Sequence, residues 1–323
     1  MRRRALLLAA PAVVVRSATA QTTLPDKTLR IIVGFVNNGG ADLMARSIAP
    51  ALERRVGRHV TVENRPGNTG QSAGEALRLS SASDGSVISF MPSTTIALRA
   101  ALASFPFDPE KDLAAITVAG TFQTALAVSP KSGVASLDEF SAWAKDGEAE
   151  RRRLGVTATD ALLQVYAKTI GHAIDVPLDG VGYRGALPLT TDLASGKLPA
   201  GAGGVTSFLE HHRGGTLRML AISGSKRLAT ARDVPTAGEL GRPDMLAEEW
   251  YGFFASAAAA PAVVMEWNRQ LCAVLADREV AATLAQYGLE VEGSTPEQAA
   301  ARVRAHLQSW RARMTAFKLK PSN

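Results

Sequence analysis

The sequence predicts an α/β fold in two lobes, built on mainly parallel strands, and three observations carry that prediction. Short β-type runs alternate with longer helix-type segments, the pattern of parallel strands joined by helical crossovers. The first such run, residues 29–35, is almost continuously apolar, as a strand buried on both faces must be. A chain of 323 residues that is 46% hydrophobic has ample core for more than one domain.

The elements follow in order. The first strand is broken by Asn37-Asn38-Gly39-Gly40, and a helix over 43–56 carries Met44, Ile48, Leu52 and Val56 on one face at a spacing of four. Pro50 lies within it and should cost a hydrogen bond and kink the helix. A strand at 60–63, the turn Arg65-Pro66-Gly67 and a helix at 71–80 come next. The strand 87–91 ends at Pro92-Ser93-Thr94-Thr95, and strands at 116–118 and 125–128 flank a lobe boundary. Beyond it lie a charged helix (137–152), a helix (160–171), a loop (180–185), a helix through Asp192 and a strand (217–223). Arg151-Arg152-Arg153 reads as the solvated end of the charged helix. Trp250-Tyr251-Gly252-Phe253-Phe254 is an aromatic strand, and helices are expected at 262–276, 277–287 and 296–314. Chain crossings near 121 and 250 make one lobe discontinuous, 21–121 with 250–323, and leave 122–249 as the other.

Residues 1–20 read as a secretory leader: Arg2, Arg3 and Arg4, then an uncharged run from Ala5 to Val15, then Ala18-Thr19-Ala20 as a small-x-small cleavage signal. The run is too short to span a bilayer. The leader holds four arginines and no acid, so the net charge of +6 falls to +2 in the mature chain. A near-neutral protein lacks the electrostatic footprint of a nucleic-acid binder. The single cysteine, Cys272, excludes an internal disulfide. A periplasmic, soluble, monomeric protein is expected.

Motifs for chemistry are missing. Gly180-Val-Gly182-Tyr-Arg-Gly185 matches G-x-G-x-x-G in letter only. Pro177 interrupts the strand that should precede it, and the acid needed about 20 residues on for a ribose is absent. There is no nucleophile elbow or phosphate loop. His211 and His212 are adjacent and point apart, and His59, His172 and His306 show no metal-binding spacing. No catalysis, metal or cofactor is expected.

What the residues do offer is a set of strand ends suited to an anion. Gly39 and Gly40 lead from a strand directly into a helix, whose first N–H groups and positive dipole end suit a carboxylate or phosphate. Asp42, at or near the N-cap, would fix that turn. Locally a plain βα turn explains the same residues and is the simpler reading. Ser93, Thr94 and Thr95 after one strand, and Thr157 and Thr159 before a helix, repeat the pattern at other strand ends, where open α/β sheets bind ligands.

These residues sit within motifs that resemble the Bug receptors, the extracytoplasmic solute-binding proteins of tripartite tricarboxylate transporters. Leu29-Arg-Ile-Ile-Val-Gly-Phe35 with Gly39-Gly40-Ala-Asp42 resembles the family's opening strand and G-G-x-D loop. Val62-Glu-Asn-Arg-Pro-Gly67 is similar to its V-E-N-R-P-G signature. Phe107-Asp108-Pro109, Lys111-Asp112, Tyr183-Arg-Gly185, Asp233-Val-Pro-Thr236, Trp250-Tyr-Gly252 and Gly293-Ser-Thr-Pro-Glu297 follow in family order across the mature chain. The resemblance implies a type II periplasmic-binding-protein fold whose two lobes close on a small carboxylate and present it to transporter membrane subunits. It implies that Asn37, Asn38, Gly39, Gly40, Asp42, Ser93 and Thr94 serve the first lobe's side of the site. Thr157, Thr159, Tyr183, Arg184, Gly185 and Ser207 would serve the second. A sensing role beside a membrane kinase, or an unrecognised enzyme, are the alternatives.

The chain departs from the family pattern in three places. Val36-Asn37-Asn38 stands where P-P is usual, the loop at Thr157 is about two residues shorter, and Leu198-Pro199-Ala-Gly-Ala-Gly203 replaces V-D-M-x-F-D. With its proline that last segment suits an edge or irregular strand. The missing acid at Gly203 favours a plain carboxylate over an amino acid as ligand.

Overall fold

Two β-sheets organise the chain. It runs first through β1 (Leu29–Val33), α1 (Gly40–Val56), β2 (Val60–Asn64), α2 (Gln71–Leu79), β3 (Val87–Pro92), α3 (Ser93–Ala101) and β4 (Leu113–Phe122). It then crosses into β5 (Thr124–Val128), α4 (Leu137–Lys145), β6 (Arg153–Val156), α5 (Asp160–Ile174), β7 (Asp179–Gly182), α6 (Ala186–Ser195), β8 (Ala200–Gly204), α7 (Thr206–Arg213) and β9 (Arg218–Ile222). It returns as β10 (Glu249–Ser256), α8 (Pro261–Leu275), α9 (Arg278–Gln286), β11 (Leu289–Val291) and α10 (Pro296–Ala316). The outer passages form one sheet, in the order β11-β4-β10-β3-β1-β2, and the middle passage forms another, β7-β6-β8-β5-β9. The computed structural model describes residues 23–80, 84–157, 160–247 and 249–321. The expected leader (1–20) and Thr159 lie outside them.

The register places the carboxyl ends of both sheets at the crossings. In the first sheet β1, β2 and β3 are parallel, and β10 runs against β3 and β4, starting with Glu249 opposite Phe122. The ends of β1, β3 and β4 therefore share the edge where β10 begins. In the second sheet β6, β7 and β8 are parallel, and Thr124, the first residue of β5, lies opposite Gly204, the last of β8. Gln123 alone separates β4 from β5. The Thr124 hydroxyl donates to the Ala247 carbonyl at 2.8 Å, binding one crossing to the other.

Alternate residues of β1 explain its all-apolar sequence. Leu29, Ile31 and Val33 join α1, α8 and α9 in one buried cluster, while Ile32 joins α2, α3 and α10 in another on the opposite face. That second cluster continues into the other sheet through Leu126, Val128, Leu154 and Val156 and helix α5. A third, with Leu189, Leu193 and Phe208, covers the far face of the second sheet.

Several expectations are corrected. β1 ends at Val33 rather than Phe35, because Gly34 passes so close to the next turn that a Cβ on it would lie 2.5 Å from Gly70 Cα. Helix α1 runs on through Pro50, which faces solvent, where water can satisfy the orphaned carbonyl. Helix α3, read as a strand-ending turn, is buried almost all round and so shows no amphipathic period. The charged helix stops at Lys145; Arg151 folds back over Trp143, its guanidinium carbon 4.8 Å from the ring centroid, and Arg153 opens β6. Residues 180–182, read as loop, are strand β7, paired with β6.

The largest correction concerns the segment after Pro199. β8 is not at an edge: it lies between β6 and β5. Pro199 precedes its first paired residue, and the small residues are its fitness for the centre. A Cβ at Gly201 would meet Leu193 and Leu189 at 2.9 and 3.1 Å, so these leucines of α6 press directly onto the strand.

Candidate ligand-binding site

Asp42 shows how the first loop is held. It is the third residue of α1 and fully buried. One carboxylate oxygen accepts the Asn38 N–H at 2.9 Å; the other accepts from Arg46 Nε at 2.9 Å and Asn64 Nδ2 at 2.8 Å. Burial opposes its charge, but the bonds from Arg46, Asn38 and Asn64 prevail and hold it below the usual carboxylate range. Asn64 also donates to the Phe35 carbonyl at 3.0 Å and accepts from Arg46 Nη2 at 2.9 Å. The Val62–Gly67 motif is thereby explained as a clamp behind the loop. Its clamp residue Asn64, and its partner Arg46, escaped the sequence reading, although Asp42 and Arg46 stand four apart on one helix face.

The clamp leaves the loop's outer side open. Val36, Asn37 and Asn38 are exposed, and Asn38 takes a left-handed φ of 62°. Gly39 is the N-cap of α1 and supplies no side-chain cap. On the same edge Ser93 and Thr94 open α3 behind Pro92, again without a side-chain cap. Thr94 is half-buried, but Ser93 is fully buried. The Ser93 hydroxyl accepts the Trp250 N–H at 3.0 Å and donates to the Glu249 carboxyl, so it lies within the crossing.

The second lobe repeats the pattern. Thr157 follows β6, half-buried, just before α5. Tyr183, Arg184 and Gly185 follow β7 and lead into α6, with Gly185 at φ 109° as its uncapped N-cap. Arg184 and Gly185 are exposed. The Tyr183 hydroxyl, however, donates to Asp192 at 2.8 Å, and burial together with that carboxylate pushes it up to about 12. Tyr183 therefore braces α6. Ser207 is the second residue of α7, half-buried, and α7 also lacks a side-chain cap. Beside it the Thr206 hydroxyl donates to the Tyr287 carbonyl of the other lobe.

The structure thus separates the expected residues into two groups. Asp42, Ser93 and Tyr183 turn their side-chain oxygens inward. Asn37, Asn38, Gly39, Gly40, Thr94, Thr157, Arg184, Gly185 and Ser207 lie on strand-to-helix turns at the two carboxyl edges that meet at the crossings. Helices starting at the opposite edges are treated differently: Ser136, Asp277 and Thr295 cap α4, α9 and α10, and Pro261 opens α8. Among the helices whose caps are described, α1, α3, α6 and α7 at the facing edges have no side-chain cap; α8 has none either, but Pro261 at its first position removes one of its free N–H groups. The start of α2 is uncapped too, but Thr95 and Phe35 cover Gly70 there. Each free helix start is worth about 0.3–1 kcal/mol to a bound anion.

Two surface pockets of about 310 and 330 Å³, lined by Arg30, Arg65 and Leu79 and by Arg54, Arg55 and Asp277 respectively, share no residue with these turns. Among the described residues no cluster of three His, Cys, Asp or Glu could hold a metal, and no helix is long and apolar enough to cross a membrane.

Comparison with known proteins agrees with this architecture. The profile of TctC, described as tripartite tricarboxylate transporter family receptor, matches residues 44–319. BugT of Bordetella pertussis is 30% identical over 305 residues, covering 92% of each chain. The solved structure of the periplasmic binding protein BugD superposes with a TM-score of 0.82 at 22% identity, over 92% of this chain and 99% of that one. MatC from Rhodopseudomonas palustris, solved with bound malate, gives 0.80 at 22% identity, over 90% and 99%.

Proposed function

Because the chain belongs to the tripartite tricarboxylate transporter receptor family, we propose that it captures a small carboxylate in the periplasm by closing two lobes around it and performs no chemistry on it. The lobes are 21–121 with 250–323, and 122–249; the leader is removed near Ala20, and the loaded, monomeric receptor delivers its ligand to the transporter's membrane subunits. The observation that carries this reading is the asymmetry of the helix caps. The starts of α1, α3, α6 and α7 at the two facing edges have no side-chain cap and leave N–H groups for a guest, whereas Ser136, Asp277 and Thr295 cap α4, α9 and α10, and Pro261 removes an N–H from the start of α8. An anion that touches both edges gains its full set of bonds only when the lobes close, so binding selects the closed form. Malate in the related MatC supports a carboxylate. Arg184, exposed on the second lobe's turn, adds a positive charge.

A thermal-shift screen of the mature chain against mono-, di- and tricarboxylates, malate included, tests the proposal. A ligand at 100 times its Kd stabilises by about 2.7 kcal/mol, which raises the melting temperature by several degrees. The same screen extended to amines and metal cations overturns it if one of these shifts the transition and no carboxylate does.

A further inference from the structure

A buried acid sits where the two lobes join. Glu249, the first residue of β10, is fully buried beside the crossing and pairs with Phe122, the last residue of β4. One of its oxygens accepts the Ser93 hydroxyl at the start of α3. The other accepts the hydroxyl of Tyr166 at 2.9 Å. Tyr166 belongs to α5, a helix of the other lobe, and its ring packs edge-on against Trp310 of α10, with centroids 5.3 Å apart. The Glu249–Tyr166 bond therefore ties a helix of the second lobe to the hinge strand of the first.

Among the described residues no cation lies within hydrogen-bond distance of this carboxyl. His306 of α10 brings Nε2 to 3.9 Å from Glu249, too far for a hydrogen bond, and that nitrogen has no partner among the described residues. Burial, with Arg313 and Arg302 of the same helix, pushes the imidazole down to about 4 against a backbone contact with Ser93. The histidine is neutral wherever the acid could be charged, so the approach is no ion pair. Arg313 and the Ser93 and Tyr166 hydroxyls favour the carboxylate, but burial outweighs them and lifts Glu249 to about 7. Tyr251 on β10 also faces it and is pushed far up by burial and by Glu249 itself. Separating α5 from β10 would admit water to the carboxyl and return it to its ordinary range.

We propose that Glu249 is a proton-operated tie between the lobes. Neutral, its own O–H takes over one of the two hydroxyl contacts, and the acid stays buried between α5 and the hinge strand without a charge. The ionised form, whose burial costs more than the two hydroxyls return, favours separation and hydration, so that pH biases the open–closed equilibrium. This tie rests on the reading that the lobes move to capture ligand, and deepens it by naming a regulator of that movement. For a carboxyl that titrates near 7 when buried and in its ordinary range when hydrated, the ratio of separated to joined forms rises roughly tenfold between pH 6 and pH 8.

The test needs no ligand. Spin labels at Arg54→Cys on α1 and Glu210→Cys on α7, both exposed, in a Cys272→Ser chain, report the interlobe distance by pulsed electron paramagnetic resonance. The expected result is a distance distribution that shifts toward separation from pH 6 to pH 8, a response lost in Glu249→Gln. Tyr166→Phe, which removes the tie and keeps the ring, should already show the separated population at pH 6. Identical distributions at both pH values, or an undiminished response in Glu249→Gln, overturn the proposal. Carboxylate capture is judged separately by the thermal screen, so either idea can fail alone.

Discussion

Asp42→Asn should uncouple the first loop from its scaffold. The substitution keeps the shape and replaces one acceptor oxygen by an NH₂ donor. Asp42 is sealed from solvent and surrounded by three donors, Asn38 N–H, Arg46 Nε and Asn64 Nδ2. At least one donor must then face another donor. Losing a bond to a charged group costs about 1.5–3 kcal/mol, and a buried donor left unpaired costs about 1–3 kcal/mol more. Arg46 is half-exposed and can turn to water, so the lower halves apply, giving about 3 kcal/mol. Urea unfolding with an unchanged m-value reads this loss as a lower midpoint. The native acid is depressed below its ordinary value, so its contribution is present above the unfolded-state pKa and fades as pH falls through the folded one. The variant should lack that acid-side decline. Calorimetric titration with whichever carboxylate the screen identifies should show weaker binding, because the Asn37–Gly40 loop is no longer fixed. A stability loss under about 1 kcal/mol, or unchanged affinity, would refute the clamp.

Other expectations follow from the same geometry. Gly40→Leu should abolish ligand binding at nearly native stability, since a Cβ there meets only Met44 Cε at 3.7 Å; equal losses of melting temperature and affinity would mean the glycine serves the turn alone. Gly34→Ala should destabilise severely, because backbone at Gly70 blocks the Cβ at 2.5 Å, whereas Gly57→Ala, with open space and φ 67°, should cost only about 1–2 kcal/mol by denaturant melts. Gly203→Asp has room beside Phe208 at 3.5 Å and should fold; if it does not raise affinity for an amino acid relative to a plain dicarboxylate, the account of the missing acid fails. Glu249, raised to about 7, binds its proton more tightly folded than unfolded. Stability is therefore greatest below its unfolded-state range and falls by about 3 kcal/mol as pH rises to 7, a slope that Glu249→Gln should flatten.

Strands β1 and β3 were legible because each is a nearly continuous apolar run that ends at turn residues, and β10 because its aromatic residues cluster; the three-residue β11 carries no such signal and was not read. The helices were legible where one face is polar. Helix α3 was not, since Ile96, Ala97, Leu98, Ala100 and Ala101 are all buried and no period betrays it. β8 misled for a related reason. Its proline pointed to an edge, yet Pro199 stands just before the first paired residue, and Leu189 and Leu193 of α6 pack onto the small residues that follow, a complementarity between separate elements that no local pattern shows. The turns of the candidate site were visible as Gly, Asn, Ser and Thr at strand ends. Which side chains turn inward was not, because Ser93 and Tyr183 are decided by Glu249 and Asp192, partners that no local pattern announces.

That division bears on how such a receptor changes its ligand. If the anion is held by backbone N–H groups at uncapped helix starts, the holding groups carry no residue identity, and only the absence of a cap is written in the sequence. The side chains that are written there, Asp42, Asn64, Ser93 and Tyr183, maintain the turns from behind. Positions that look outward, such as Asn37 and Arg184, are then free to vary without loss of fold and to set which carboxylate fits. Exchanging the outward residues should alter ligand preference at constant stability, while exchanging the inward ones should reduce stability and affinity together. Paired measurements of Kd and unfolding midpoint on Arg184→Ala and Asn64→Ala would separate the two classes, and a stable Asn64→Ala with altered ligand preference would break the distinction.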